Sequence, residues 1–110
     1  MQLTIRETND LTPNGSHISV KVDADKLTFP LRWRSWQAGD FFYPLGMGQR
    51  KKISDLLIDN KVPLPDKEKL TVLESGGDIV WVIGQRLDHR FRLTPDTKRA
   101  LQLSLQSHFS

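Results

Sequence analysis

Apolar and polar residues alternate in several short runs along this chain, and turn-forming residues separate the runs. After a Thr12-Pro13-Asn14-Gly15 turn, Ile18, Val20 and Val22 alternate with polar neighbours in the period of a half-buried strand. Asp23 to Lys26 reads as a hairpin connection into a second strand from about Leu27 to Arg34. That strand sets Phe29, Leu31 and Trp33 on one face and Arg32 with Arg34 on the other. Gln37 to Gly48 is a loop rich in glycine, proline and aromatics. From Lys51 to Lys61 the spacing changes to that of a helix, with Ile53, Leu56 and Leu57 on the apolar face, Asn60 at its edge, and Pro63 and Pro65 as the stop.

Beyond the prolines, Asp66 to Lys69 predicts one helical turn, and Thr71–Leu73 and Asp78–Ile83 predict a hairpin around Ser75-Gly76-Gly77. His89 to Leu93 reads as a strand with Phe91 inward and Arg90 and Arg92 outward. Thr94-Pro95 has the form of an N-cap and first helical position, giving a brief helix over Asp96 to Arg99. Leu101, Leu103 and Leu105 alternate in a final strand. Many short strands with one or two short helices indicate an α+β domain of short antiparallel strands.

Composition narrows this picture in a few places. A chain of 110 residues suffices for one core, burying roughly 65% of its unfolded surface. With no cysteine, disulfide frameworks and zinc ribbons are excluded and a reducing compartment is expected. The start Met1-Gln2-Leu3-Thr4 lacks a signal-like pattern and no apolar run is long enough for a membrane span, so a cytoplasmic location is expected.

Charge adds more through its placement than through its sum of +3. Residues 1 to 31 carry three basic and four acidic side chains, whereas residues 32 to 99 carry thirteen basic against nine acidic. The cations cluster at Arg32/Arg34, Arg50-Lys51-Lys52, Lys67/Lys69, Arg86/Arg90/Arg92 and Lys98-Arg99. Clustered cations suit a phosphate backbone, because each contact releases condensed counterions. Lys51 and Lys52 stand out: placed beside a helix start, they add charge to free backbone N–H groups that favour a phosphate. Gly39-Asp40 is expected to shape the adjoining loop, with the carboxylate accepting loop N–H bonds. Trp33, Trp81 and Phe91 are assigned to the core, while Trp36, Phe41, Phe42 and Tyr43 lie in the loop, where most should pack and one or two are candidates to stack on a base or ribose.

The run from Arg32 to Leu73 has an order that packing alone does not require. It reads Trp33-Arg34, Gly39-Asp40, Pro44, Gly46-Met47-Gly48, Lys51-Lys52, then Asn60-Lys61-Val62-Pro63. This order resembles the carboxy-terminal domain of the tRNA(Ile)-lysidine synthase family over roughly residues 27 to 104. The resemblance implies a small β/β/α sandwich-like domain of the kind shared with the phenylalanyl-tRNA synthetase β-subunit. It divides the chain into a lead-in over residues 1–26, part of it linker, and a tRNA-binding domain over 27–110.

In that family the amino-terminal domain adenylates the wobble cytidine of a minor isoleucine tRNA with ATP and Mg2+, and lysine then attacks to form lysidine. The resemblance therefore implies no cofactor in this chain and no catalysis by it. It implies a grip on the tRNA-Ile acceptor stem, with the rest of the enzyme attached in cis; a homodimer is kept as a further candidate partner, apart from the resemblance. On the family pattern Arg34, Lys51, Lys52 and Lys61 fall at basic positions assigned to phosphate or ribose, and Arg32, Arg50, Lys67 and Lys69 join them as candidate contacts. Gly39, Asp40, Pro44 and Gly46 match the loop-shaping positions. Lys67-Glu68-Lys69 departs from the family's Arg-Asp-Arg, and the bidentate fork is lost there.

Other chemistry is set aside on spacing. Ser75-Gly76-Gly77-Asp78 is similar to the pyrophosphate loop of the adenylating domain, but its spacing is wrong and it reads as a turn. Gly46-x-Gly48 has no glycine at position 51, which removes a dinucleotide loop. His17, His89 and His108 share no ligand spacing, and Asn14-Gly15-Ser16 is a sequon without signs of secretion. Two alternatives stay open: a structural module without RNA contact, and a protein-interaction domain presenting Trp36, Phe41, Phe42 and Tyr43 as an apolar patch.

Overall fold

Two antiparallel sheets stack face to face and a helical layer covers the far side of one of them. The computed structural model describes residues 2–13 and 18–106, so the Asn14-Gly15 turn, the sequon, His17 and His108 lie outside the described residues. The first sheet sets β1 (Gln2–Thr8) and β2 (Ser19–Asp23) on either side of β9 (Ala100–Gln106). The second sheet runs β3 (Arg32–Ser35), β6 (Thr71–Ser75), β7 (Asp78–Val82), β8 (Arg86–Leu87), all antiparallel. A ribbon of β4 (Phe41–Phe42) and β5 (Lys51–Lys52) leads into α1 (Ile53–Asp59), and α2 (Leu64–Lys69) follows. This is the expected α+β arrangement of short antiparallel strands with two short helices.

The second sheet separates two cores. On one side Leu73, Val80, Trp81, Leu87 and Phe91 meet Val20, Val22 and Leu103 of the first sheet. On the other, Val72, Ile79 and Val82 meet Phe42, Ile53, Leu56, Leu57 and Leu70. An unbroken strand would alternate strictly between these cores, but β7 sends both Val80 and Trp81 to the same one. The cause is a bulge: Leu73 pairs with Trp81 and Glu74 with Ile79, which leaves Val80 as the extra residue. The β6–β7 turn has positive φ at both Gly76 and Gly77, the conformation of a tight hairpin. The apolar spacing of α1 is as read from the sequence, with Ile53, Leu56 and Leu57 all buried.

Several expectations are corrected. Asp23 to Lys26 is no hairpin: Asp23 caps a single turn of 3₁₀ helix over Ala24–Lys26, and β2 takes β9 as its partner. The strand expected from Leu27 begins only at Arg32, because the Ser75 hydroxyl accepts from the Thr28 N–H at 2.8 Å and donates to its carbonyl at 3.1 Å in place of a ladder. On this edge strand Trp33 is 43% exposed, so it leaves the core assignment that Trp81 and Phe91 keep. Its indole N–H donates to Thr71 Oγ1 at 2.8 Å along the sheet surface.

The strand expected over His89 to Leu93 is a 3₁₀ turn over His89–Phe91, begun by Asp88, whose carboxylate accepts the Arg90 N–H. Phe91 is buried as expected, while Arg90 and Arg92 do not share an open face; the Arg92 guanidinium donates back to the His89 carbonyl. The helix expected over Asp96 to Arg99 is absent: Thr94 accepts the Asp96 N–H like a cap, but the chain makes only a turn, with the Thr97 N–H donating to the Thr94 carbonyl and the Thr97 hydroxyl to the buried Asp23 carboxylate. Pro63 and Pro65 start α2 rather than only ending α1, with Pro63 as cap and Pro65 in the first turn, where no N–H is needed.

Candidate nucleic-acid interface

Two turns set the loop between β3 and α1. Residues 37 to 40 form the first, with the Asp40 N–H donating to the Gln37 carbonyl at 3.0 Å and Gly39 at φ +93°. Residues 44 to 47 form the second, with the Met47 N–H donating to the Pro44 carbonyl at 2.9 Å and Gly46 at φ +84°. A side chain is strained at such φ values, so glycine is required there. The second turn is held against β8: the Leu45 N–H donates to the Leu87 carbonyl, Arg86 donates to the Leu45 carbonyl, and Gly46 N–H donates to His89 Nδ1 at 3.1 Å. Pro44 forms a bridge with Asp88. Gly39, Asp40, Pro44 and Gly46 thus all sit at bends or anchor points of this loop.

Asp40 also organises Arg34. Its carboxylate accepts Nη1 at 2.8 Å and Nη2 at 3.1 Å in a fork, and takes the Gln37 N–H at 2.7 Å. Glu74 accepts the remaining Arg34 Nε at 2.7 Å, and the Ser35 carbonyl takes a further bond from Nη1. The Asp40 bonds, with those from Glu74, raise the Arg34 pKa. Partial burial works against charge on Asp40, but the Arg34 and Gln37 bonds prevail and hold its pKa below the usual carboxylate value. Arg34 is thereby a structural fork with most of its donors engaged inside the protein, rather than an open phosphate contact.

Arg90 is bound in the same manner. Asp88, fully buried, accepts its Nε and Nη2 at 3.0 Å each and also the Tyr43 N–H at 2.9 Å, while Asp78 lies 3.4 Å from Nη1. The Arg90 guanidinium stacks 4.4 Å above the Tyr43 ring. Bonding to Asp88 raises the Arg90 pKa.

The ribbon carries a different kind of cation. Lys51 and Lys52 lie in β5, ahead of α1 rather than inside it, and their strand register pairs Lys52 with Phe41 and Lys51 with Phe42. Phe42 is fully buried and Phe41 is 40% exposed, so the expected lysine pair is split in role. The Lys51 ammonium forms a close ion pair with Asp59 of α1. Among the described residues, Arg50 and Lys52 have no ion-pair partner, and the Arg50 guanidinium lies 4.8 Å from the Phe41 ring centre. These residues line an open cleft of about 800 Å³ with Gly39, Met47, Gln49, Asp55 and Asp59.

The other expected contacts fall elsewhere. Arg32 is exposed on β3, and Lys67 and Lys69 sit in the last turn of α2. Lys61 closes α1 at φ +53°, its N–H donating to the Ile58 carbonyl and that of Val62 to the Leu57 carbonyl. Glycine usually fills that position, and a lysine there costs on the order of 1 kcal/mol. The residues that sequence reasoning did not place in the cleft are Met47, Gln49, Asp55 and Asp59; the β4–β5 pairing that gathers them is too short to leave a periodic signal.

Comparison with known proteins bears on the family and the fold. The family model for the TilS substrate C-terminal domain matches residues 31–105. A tRNA(Ile)-lysidine synthase of Parabacteroides distasonis is 51% identical over 80 residues, covering 73% of this chain and 18% of that protein. One from Bacteroides thetaiotaomicron is 45% identical over 101 residues, 88% of this chain and 24% of that protein. The chain thus spans about a fifth of the length of these relatives. A crystal structure of a TilS C-terminal domain superposes with a TM-score of 0.85 at 23% identity, over 98% of this chain and 85% of that one. An amino-terminal fragment of the phenylalanyl-tRNA synthetase β-subunit from Pyrococcus horikoshii shares the fold at a TM-score of 0.66 and 19% identity, over 77% and 27% of the two chains. By the family match over most of its length and by the fold that match predicts, the chain belongs to the TilS substrate C-terminal domain family.

Proposed function

We propose that this chain is a tRNA-binding domain that holds the acceptor stem of a minor isoleucine tRNA for a lysidine-forming enzyme. The observation that carries the reading is the cleft at the β4–β5 ribbon, where Arg50 and Lys52 have no ion-pair partner among the described residues and stand beside the anchored Gly46 turn. Cations without protein partners are the ones able to exchange condensed counterions for phosphate contacts. Arg32, Lys61, Lys67 and Lys69 extend the basic surface, and the strain at Lys61 favours a role for its side chain. Arg34 and Asp40 act one step back, by fixing the loop that carries the cleft.

The chemistry of lysidine formation, with ATP and Mg2+, belongs in this proposal to an amino-terminal catalytic domain joined in cis. The residues of this chain do not fit an adenylating loop: Gly76 and Gly77 make a two-residue hairpin turn between paired strands. The test is fluorescence anisotropy of the chain with an isoleucine-tRNA acceptor-stem minihelix and an unrelated stem, from low to physiological salt. Binding should favour the isoleucine stem and fall with a log–log slope of roughly −0.7 to −0.9 per phosphate contact. Equal binding to both stems would reduce the domain to a general phosphate clamp. Salt-insensitive binding, or none, would overturn the RNA reading in favour of a docking role.

A further inference from the structure

The cleft contains groups that a clamp for double-helical RNA does not need. Its floor is aromatic and apolar: Phe41 and Met47 are each 40% exposed, and Arg50 lies over the Phe41 ring. One wall is acidic, with Asp55 and Asp59 of α1. Asp59 is taken up by Lys51, but among the described residues Asp55 has no cationic partner. A stem presents its phosphates outward and keeps its bases stacked inside, so a carboxylate beside the backbone is repelled by the phosphates and an aromatic floor finds no base face to stack on. An unpaired nucleotide supplies what every wall asks for: a flat base, amino donors on the base edge, and a phosphate.

We propose that this cleft receives one unpaired nucleotide of an RNA whose base bears an exocyclic amino group. The base stacks on the Arg50–Phe41 pair, as bases stack on aromatic rings and guanidinium planes. Its amino group donates to the Asp55 carboxylate, and its phosphate meets the ammonium of Lys52, which the register places beside Phe41. Arg90, which lies over the Tyr43 and Phe91 rings, is closed to such a role, because Asp88 and Asp78 hold its guanidinium. The inference rests on the RNA-binding reading and narrows it from a stem to a single-stranded position.

The experiment is a titration of the isotopically labelled chain with adenosine 5′-monophosphate, uridine 5′-monophosphate and ribose 5-phosphate, following backbone amide shifts by NMR. Adenosine monophosphate should bind most tightly, with shifts at Phe41, Met47, Gln49, Arg50 and Lys52. Phe41→Ala should weaken it about tenfold, and Phe41→Trp should retain or strengthen it. Asp55→Ala should bring the adenosine and uridine nucleotides to similar affinity. The spectrum away from the cleft reports that each variant is folded. Ribose 5-phosphate binding as tightly as adenosine monophosphate, or shifts that map outside the cleft, would overturn the proposal. Blunt stems and stems with a single-stranded 3′ tail separate the two readings. Salt-dependent binding indifferent to the tail keeps the stem reading and sinks this one, whereas preference for the tail supports it.

Discussion

Arg34 and Arg50 are sixteen residues apart and both belong to basic clusters, yet the fold uses them in opposite ways. Arg34 is held by two carboxylates and a carbonyl, with only 16% of its side chain exposed. Arg50 is exposed, lies over the Phe41 ring with no ion-pair partner among the described residues, and opens onto the cleft. The contrast shows that the positive charge available to a partner is set by which cations the protein has already neutralised. Net charge and local clustering do not distinguish the two; the positions of Asp40, Glu74, Asp59 and Asp88 do.

Removing anchors should break the partnered side of this comparison most severely. Asp88→Ala leaves the Tyr43 N–H and Arg90 without their buried acceptor, and urea unfolding should show a loss of about 3 kcal/mol. Arg34→Met should cost about 2 kcal/mol by the same measurement, while the salt slope of RNA binding stays as in the parent chain. The Arg34–Asp40 pair also carries a pH signature. Because the Asp40 pKa is lowered on folding, its contribution is complete above the unfolded carboxylate pKa and is lost as pH falls through the folded value. Acid unfolding of Asp40→Asn should therefore have a shallower pH dependence than that of the parent chain.

The unpartnered side should respond in the reverse sense. Arg50→Ala with Lys52→Ala should leave unfolding within about 0.5 kcal/mol and reduce the salt slope of stem binding by roughly 1.4 to 1.8. An unchanged slope would move the interface away from the cleft. The smallest effect is the most diagnostic. Asp59→Asn releases Lys51 and should steepen the slope by up to about 0.9, moving one cation from the neutralised class to the available one.

How far the sequence could be read follows from the range of each interaction. The buried face of α1 needs only residues three and four apart, and the Gly76-Gly77 hairpin only its own turn, so both were legible. Asp40 was readable as a loop shaper because its bonds to Gln37 are local. Its fork with Arg34, and the Glu74 bond that completes it, join three separate segments and leave no periodic trace. Trp33 alternated correctly with its neighbours, but β3 proved to be an edge strand, where one face of alternation meets solvent. The lysine pair was misplaced because a two-residue strand followed directly by a helix offers no period of its own. His89–Phe91 departed from a strand because a single buried aspartate curls the backbone around its carboxylate.

β9 is the common neighbour of β1 and β2, with Gln2 opposite Gln106 and Ser19 opposite Ser104. Within this domain, then, β1 and β2 have no ladder to join until β9, which follows every other described element, has been made. The β6–β7 hairpin and α1 depend on closer neighbours and are complete much earlier. Val20 and Val22 wait for Leu103 to cover them, whereas Ile53, Leu56 and Leu57 need only segments between Phe42 and Val82. The layer carrying the cleft thus draws on a continuous central stretch of the domain, whereas the opposite sheet needs segments from both of its flanks.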